Sequence, residues 1–177
     1  MTTDINLARD IYLRSHLVGE FTLRSGAVAT EYFDKYLFES DPVLLKRIAE
    51  ALAEFVPAEG IDALAGLETG GIPLAVMLSQ QTGIPSLFVR KEAKEYGTCR
   101  LAEGGDVSGA NLFIVEDVVT SGGAVKDAVL ELRNRGATVS KGVCVIDRQS
   151  SGLQNLRELE VDMKALFTMS QLKEAGS

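Results

Sequence analysis

Short apolar runs alternate along the chain with longer segments in which apolar residues recur every three or four positions. The short runs are typical of strands buried on both faces, and the periodic segments are typical of helices. Strands of one main sheet are predicted over 61–67, 84–89, 112–115, 139–146 and 163–168. Helices are predicted over 3–15, 41–57, 72–81, 124–135, 152–159 and 169–175. This alternation predicts an α/β fold with a mostly parallel sheet flanked by helices on both faces.

A small antiparallel hood is predicted ahead of the main sheet, from strands over 20–25 and 30–37 around a central glycine. Tyr32 and Phe33 are adjacent on the second strand, so one ring can enter a core while the other faces a ligand. Arg24 lies on the first strand, and a cation beside an aromatic ring suits a flat anionic heterocycle. Ordinary packing would also explain two rings on a hairpin.

The most informative stretch is 111–125, with the sequence NLFIVEDVVTSGGAV. Its apolar strand is expected to end at Glu116 and Asp117, whose carboxylates can accept hydrogen bonds from vicinal ribose hydroxyls. The small-residue turn that follows can wrap a phosphate with backbone N–H groups and the positive end of a helix. It lacks both the lysine of a P-loop and the spaced glycines of a dinucleotide fingerprint. The turn consists of Thr120, Ser121, Gly122 and Gly123.

The strand at 61–67 ends in a similar way, with Thr69, Gly70 and Gly71 before a helix. A second phosphate-sized turn on a neighbouring strand suits a diphosphate. Thr-Gly-Gly alone could also be a tight connection, just as the first stretch could be a strand ending in solvated acids. Together, the two turns predict a site for a sugar diphosphate.

Residues 90–109 form the segment that packing explains least well. Its 20 residues include four cations and four glycines, so we expect it to be too polar to pack between strands. Loops of this length inside a compact domain are usually functional, often as lids. Its cations could close over a strongly anionic group, and the alternative is a flexible, solvated loop. These cations are Arg90, Lys91, Lys94 and Arg100.

Arg148 follows the strand at 139–146, at the carboxyl edge where open α/β sheets bind ligands. It would bring a guanidinium to the same edge as the acidic pair, unless it forms a salt bridge with a neighbouring acid. The only histidine, His16, has nothing nearby to hold it in a triad. We expect it to be a partly buried or surface residue near a helix end.

Composition fits an ordinary globular protein of one domain over 1–177, with the hood at about 1–40 and the core at about 41–177. The net charge of −7 argues against a nucleic-acid surface, and no apolar run is long enough to span a membrane. Cys99 and Cys144 lack metal-like spacing, and no targeting signal is seen. These features predict a cytoplasmic location.

Three motifs resemble known sequences. Residues 112–123 resemble the phosphoribosyl pyrophosphate (PRPP) motif of type I phosphoribosyltransferases. The segments FTLRSG and YFD, with Arg-Lys-x-x-Lys over 90–94, resemble orotate phosphoribosyltransferases. That family commonly has Lys where this chain has Arg24, and often has His where it has Tyr96. A phenol titrates near pH 10, so Tyr96 can donate a hydrogen bond but is not expected to shuttle protons near neutrality.

The resemblance implies the type I phosphoribosyltransferase fold, a homodimer that shares loop residues across its interface, and synthesis of orotidine 5′-monophosphate from orotate and PRPP. It implies Mg²⁺ bound mainly through PRPP and water, with no direct protein ligand. Catalytic roles fall to Lys91, Lys94, Glu116 and Asp117, with Lys94 the most rate-sensitive. PRPP contacts fall to Thr69, Gly70, Gly71, Arg90, Lys91, Lys94, Tyr96, Glu116, Asp117, Val118, Val119, Thr120, Ser121, Gly122 and Gly123. Orotate contacts fall to Arg24, Tyr32, Phe33, Thr120 and Arg148.

Two alternatives differ from this hypothesis in substrate or in class. An enzyme of the same fold could act on a purine base, but a neutral purine does not need the cationic and aromatic hood or Arg148. A PRPP-sensing regulator could keep the motif without catalysis. Such a regulator would be expected to carry a basic nucleic-acid surface, and this acidic chain has an intact lysine loop instead.

Overall fold

The computed structural model describes residues 4–22, 26–91 and 101–177. Strands and helices alternate through most of the chain. The strands are β1 (His16–Thr22), β2 (Val28–Phe33), β3 (Ala63–Leu67), β4 (Ser86–Val89), β5 (Ala102–Glu103), β6 (Asn111–Val119), β7 (Thr138–Asp147) and β8 (Asp162–Thr168). The helices are α1 (Ile5–Ser15), α2 (Lys35–Glu39), α3 (Pro42–Ala53), α4 (Gly71–Thr82), α5 (Gly123–Asn134), α6 (Gly152–Arg157) and α7 (Met169–Gly176).

The main sheet has the strand order β5-β4-β3-β6-β7-β8. All neighbouring strands are parallel except β4 and β5, which are antiparallel. Two apolar clusters cover the two faces, one including α1, α3, α4 and α7, the other α5 and α6. Strand β6 contributes Leu112 and Ile114 to one cluster and Phe113 and Val115 to the other. The predicted α/β fold, with a mostly parallel sheet flanked by helices, is therefore confirmed.

The hood is an antiparallel pair of β1 and β2, as predicted, but its boundaries differ. Strand β1 begins at His16, directly after α1, rather than at residue 20. Strand β2 ends at Phe33 rather than at 37, because the Asp34 carboxylate accepts a hydrogen bond from the Tyr36 N–H and caps the short helix α2. The prediction therefore missed α2. The division into a hood and a core stays a prediction.

His16 has the structural role expected of it. It lies where α1 passes into β1, and its side chain is partly buried. Its ring stacks on Tyr12 with 4.7 Å between ring centroids, and its Nε2 lies 3.4 Å from a Glu31 carboxylate oxygen.

The described end of the segment after β4 packs at the edge of the sheet. Leu101, Ala102 and Val107 are buried, and β5 extends the edge of the sheet. Strand β5 lies at the edge of the sheet and pairs with β4 alone, so the structure does not contradict the expectation that 90–109 is too polar to pack between strands. The three buried side chains anchor the described end of the segment. Residues 92–100 lie outside the described ranges.

Strand β6 is also longer than predicted. It continues beyond Glu116 and Asp117, since Val118 and Val119 pair with Ile146 and Asp147 of β7. The acidic pair therefore lies within the last part of the strand rather than after it. Within the described ranges, no helix is long and apolar enough to cross a membrane.

Candidate active site

The order of the strands identifies one crevice in the sheet. The chain passes from β3 to β4 on one side, and then returns to place β6 on the other side of β3. In open α/β sheets, ligands bind outside the carboxyl ends of the strands at the point where the strand order reverses. Here that point lies between β3 and β6. The turns that follow these two strands are 68–70 and 120–122.

The turn after β6 leaves backbone donors available for an anion. Helix α5 begins at Gly123 without a side-chain cap, so its first N–H groups have no side-chain acceptor. Gly122 has a φ of +78°, a conformation that strains other residues. The Asn155 side chain donates a 3.0 Å hydrogen bond to the Ser121 carbonyl and so supports the turn. A cavity of about 130 Å³ lies over it, lined by Glu116, Val118, Val119, Thr120, Ser121, Gly122, Gly123, Ala124 and Val125.

The turn after β3 has the same design. Helix α4 begins at Gly71, and its cap, Gly70, supplies no side-chain acceptor. A methyl group on Gly71 would lie 2.3 Å from the Val115 carbonyl oxygen, so only glycine lets α4 begin this close to β6. Helices α1, α2, α3 and α7 instead begin with Asp or Thr caps whose side chains accept backbone hydrogen bonds. The two helix N-termini at the crevice therefore keep donors that these other helices satisfy internally.

Glu116 lies between two cavities. It lines the 130 Å³ cavity and a neighbouring cavity of about 230 Å³, and its Oε2 is buried without a hydrogen-bond partner. Burial raises the pKa of Glu116 well above its usual range, and the charge of Asp117 and a hydrogen bond with it raise it further. The larger cavity is also lined by Leu67, Glu68, Val89, Arg90, Lys91, Leu101, Ala124, Asp127, Ala128 and Glu131.

Asp117 differs from Glu116 because it is fully buried. It forms an ion pair with Lys35 of α2. Burial lowers the pKa of Lys35, but the hydrogen bond and charge of Asp117 outweigh that effect and leave it raised. Glu39, one turn further along α2, is also buried, and burial followed by the hydrogen bond and charge of Asp117 raises its pKa to about 9.

The cations at the end of β4 lie at one rim of the crevice. The Lys91 N–H donates a 3.1 Å hydrogen bond to the Glu68 carboxylate, which ties β4 to the turn after β3. The Arg90 N–H donates to the Leu101 carbonyl at 2.9 Å, so the two ends of the segment between them meet. Lys94, Tyr96 and Arg100 lie outside the described residues.

Arg148 lies at the opposite side of the crevice. Its N–H donates a 2.9 Å hydrogen bond to the Val119 carbonyl, which places it next to the turn after β6. Its side chain is exposed, and within the described ranges its guanidinium forms no salt bridge. The alternative that a neighbouring acid binds Arg148 therefore has no support from the described residues.

The two adjacent rings of the hood face different surroundings, as their strand position predicts. Phe33 packs near Tyr12 and Phe38, at centroid distances of 6.4 and 6.5 Å. Tyr32 is 44% exposed and lies 5.5 Å from the ring of Phe21. Tyr32 is therefore the ring that is exposed and accessible to a ligand. Arg24 lies outside the described residues.

Comparison with known proteins agrees with this geometry. The model of the phosphoribosyl transferase domain matches residues 38–166. An orotate phosphoribosyltransferase of Nocardioides sp. (strain ATCC BAA-499 / JS614) is 52% identical over 180 residues, which cover 100% of both chains. This chain belongs to the orotate phosphoribosyltransferase family.

Two further members of the orotate phosphoribosyltransferase family support the assignment. The protein of Methanocella arvoryzae is 44% identical over 154 residues, covering 87% of each chain. The crystal structure of the Mycobacterium tuberculosis H37Rv enzyme has a TM-score of 0.83 and 26% identity, and covers 95% of this chain and 97% of that chain. The predicted family is confirmed.

The structure brings most of the predicted PRPP-binding residues to one sheet edge. Both glycine turns, the acidic pair, Arg90 and Lys91 lie at the carboxyl ends of β3, β4 and β6. The sequence did not lead to a prediction that Lys35 and Glu39 lie at the site. A Lys-x-x-x-Glu spacing on a short segment predicts only a shared helix face, and nothing in the sequence links that face to β6.

Proposed function

We propose that the chain transfers the phosphoribosyl group of PRPP to orotate, giving orotidine 5′-monophosphate and pyrophosphate in pyrimidine synthesis. The main support for this proposal is the pair of glycine turns at the point where the strand order reverses. Each turn leads into a helix, α4 or α5, that begins without a side-chain cap. Two anion sites on neighbouring strands fit a ligand with a phosphate at one end and a diphosphate at the other. The activity is also that of the family.

The turn at 120–123 would bind the 5′-phosphate, and the turn at 69–71 would bind the diphosphate. The cavity over 120–123 and the adjoining cavity share Glu116, which fits a ribose lying between the two turns. Glu116 would accept hydrogen bonds from the ribose hydroxyls, with Asp117 beside it. Asp117 is fully buried, pairs with Lys35 and lines neither cavity, so this assignment places only Glu116 beside the positive charge that grows on the sugar.

Charge on the departing pyrophosphate is the main chemical problem of the reaction. Arg90 and Lys91 lie at the rim of the larger cavity and would stabilise that charge, together with Lys94 and Tyr96 of the loop. Lys94 is proposed as the most rate-sensitive side chain. Excluding water from the site would protect the ribosyl cation from hydrolysis. No covalent nucleophile is required.

Mg²⁺ is proposed as the cofactor, bound mainly through the diphosphate, the ribose and water. Within the described ranges, no group of three or more His, Cys, Asp or Glu residues could hold a metal ion. Glu116, with a buried oxygen that lacks a partner, is the side chain suited to orient the metal's water or the ribose. The metal would neutralise charge on the pyrophosphate.

Orotate is proposed to bind between the hood and the turn after β6. Arg148 would contact its carboxylate or ring carbonyls, and Thr120 lies next to it across the β6–β7 edge. Tyr32 and Arg24 would complete the site from the hood. Phe33 was also predicted to contact orotate, but its ring packs towards Tyr12 and Phe38 instead. An exposed guanidinium that forms no salt bridge in the described ranges favours an anionic base over a neutral purine.

A cytoplasmic homodimer that shares loop residues between subunits is proposed from the family resemblance. Ile5, Leu13 and Val43 of α1 and α3 expose more than half of their surface, which is compatible with an interface on these helices. Light scattering coupled to size-exclusion chromatography would measure the mass. A monomer at micromolar concentration would contradict the dimer.

The direct test of the function is to incubate the protein with PRPP, Mg²⁺ and orotate, and to follow the loss of orotate absorbance. The expected result is Mg²⁺-dependent conversion to orotidine 5′-monophosphate with release of pyrophosphate. Adenine, guanine and hypoxanthine are then offered in place of orotate and in competition with it. Preferential use of a purine would refute the proposed substrate.

A further inference from the structure

A side chain of the short helix α2 contacts the acidic pair of β6 at the crevice. Lys35 and Glu39 are four residues apart on α2, so they lie on one face of the helix. Lys35 forms an ion pair with Asp117 of β6 across 82 positions of sequence. The Asp34 N–H donates a 2.9 Å hydrogen bond to the Ser15 carbonyl, which also anchors the start of α2 to the end of α1.

The side chains of Lys35, Glu39, Glu116 and Asp117 form a charged cluster, and two of them also lie against the backbone of the turn after β3. A methyl group built on Gly70 would lie 1.7 Å from Oδ2 of Asp117 and 2.7 Å from Oε1 of Glu39. Both carboxyl groups therefore lie against the turn that is proposed to bind the diphosphate. Glu39 is 7% exposed, and its Oε1 is buried with no hydrogen-bond partner other than a neighbouring carboxyl group.

The charges of the cluster are unbalanced without Lys35. Three carboxyl groups, those of Glu39, Glu116 and Asp117, lie around the Lys35 ammonium. Tyr36 also acts on Lys35, and Asp34 acts on Glu39. A buried charge without a partner is costly, so carboxyl groups in such a cluster take up protons. In the described ranges, Lys35 is the one cation paired with Asp117.

We propose that Lys35 is a positioning residue for the transferase reaction, because it holds the Asp117 side chain against Gly70 and so fixes the tip of β6 relative to the diphosphate turn. This inference rests on the proposed function. Both turns must grip one ligand, and small displacements of binding groups reduce reaction rates strongly. Loss of the ammonium would leave Asp117 buried without a counter-charge and would loosen the contact between the two turns.

The test compares Lys35→Met with Lys35→Arg, which keeps the charge, and with Lys46→Met, which removes an exposed lysine of α3. PRPP binding is measured by isothermal titration calorimetry, separately from turnover of orotate. Lys35→Met is expected to weaken PRPP binding at pH 7 at least tenfold. Lys35→Arg should retain most of the affinity, and Lys46→Met all of it.

A purely structural role for Lys35 predicts a lower melting temperature and a loss of PRPP affinity that Lys35→Arg does not restore. PRPP affinity within twofold of wild type in Lys35→Met, or an equal loss in Lys35→Met and Lys35→Arg, would overturn the proposal. If Lys35→Met does not fold, Lys35→Gln replaces it, because the amide keeps a hydrogen-bond donor without the charge. Because binding is measured without orotate, a wild-type protein that binds PRPP but does not convert orotate would contradict the proposed function alone.

Discussion

The raised pKa of the buried Glu39 carboxyl group predicts an unusual dependence of protein stability on pH. Glu39 is 7% exposed, and its pKa is raised from 4.5 to about 9, mainly by burial and then by Asp117. Between these two values the folded protein binds a proton that the unfolded chain has released. The free energy of unfolding should therefore fall as pH rises through this window, by at most about 1.4 kcal/mol per pH unit.

Glu39→Gln isolates this effect. The amide cannot release a proton, and its NH₂ group can donate to Asp117 in place of the protonated carboxyl. The difference in unfolding free energy, variant minus wild type, should rise by about 2.7 kcal/mol between pH 6 and pH 8, the product of two pH units and one proton. Glu116 also has a raised pKa, but it contributes to both proteins and cancels to first order in the difference.

Urea denaturation at pH 6, 7 and 8 measures the difference. Glu20→Gln is the matched control, because it removes an exposed carboxylate of β1, and its difference from wild type should not change with pH. A Glu39→Gln difference that stays constant over this range would show that Glu39 is ionised in the folded protein. The explanation of the cluster around Lys35 would then be wrong.

Three further changes test other parts of the site. Lys94→Ala should lower kcat by roughly 100-fold or more with a modest change in PRPP affinity, because its charge acts on the departing pyrophosphate; steady-state assays with near-normal turnover would refute this role. Arg148→Ala should raise the KM for orotate about tenfold, the loss expected for a hydrogen bond to a charged group, and should raise the KM for PRPP less; equal effects on both would count against it. Gly122→Ala forces an alanine to a φ of +78° and places its methyl 2.9 Å from the Gly152 carbonyl oxygen. It should lower the free energy of unfolding, measured by chemical denaturation, by about 1–2 kcal/mol and weaken PRPP binding. Unchanged PRPP affinity would show that the turn does not bind phosphate.

The alternation of buried strands and periodic helices was enough to predict the sheet and its functional edge. The apolar run before Glu116 predicts a strand buried on both faces, and the structure places its residues in both apolar clusters. One glycine turn alone could be a tight connection, so the prediction of an anion site rested on finding two such turns, each after a strand and before a helix. The extension of β6 to Val119 was not, because it depends on pairing with β7.

Contacts between distant segments account for what the sequence could not predict. The ion pair of Lys35 with Asp117 depends on where a five-residue helix lies against β6, and that helix was predicted to continue the preceding strand. Strand β5 has two residues and exists because Ala102 and Glu103 reach the edge of β4, which no local pattern indicates. Hydrophobic periodicity indicates which residues are buried. It does not indicate which part of the protein a short helix or strand packs against.

A crystal structure of the protein with PRPP and Mg²⁺ would test the proposed site most directly. We expect the 5′-phosphate to accept hydrogen bonds from backbone N–H groups of 120–123, the diphosphate to lie on 69–71, and Glu116 to face the ribose. PRPP bound away from the crevice between β3 and β6, or bound there with the 120–123 turn making no contact with phosphate, would contradict the account.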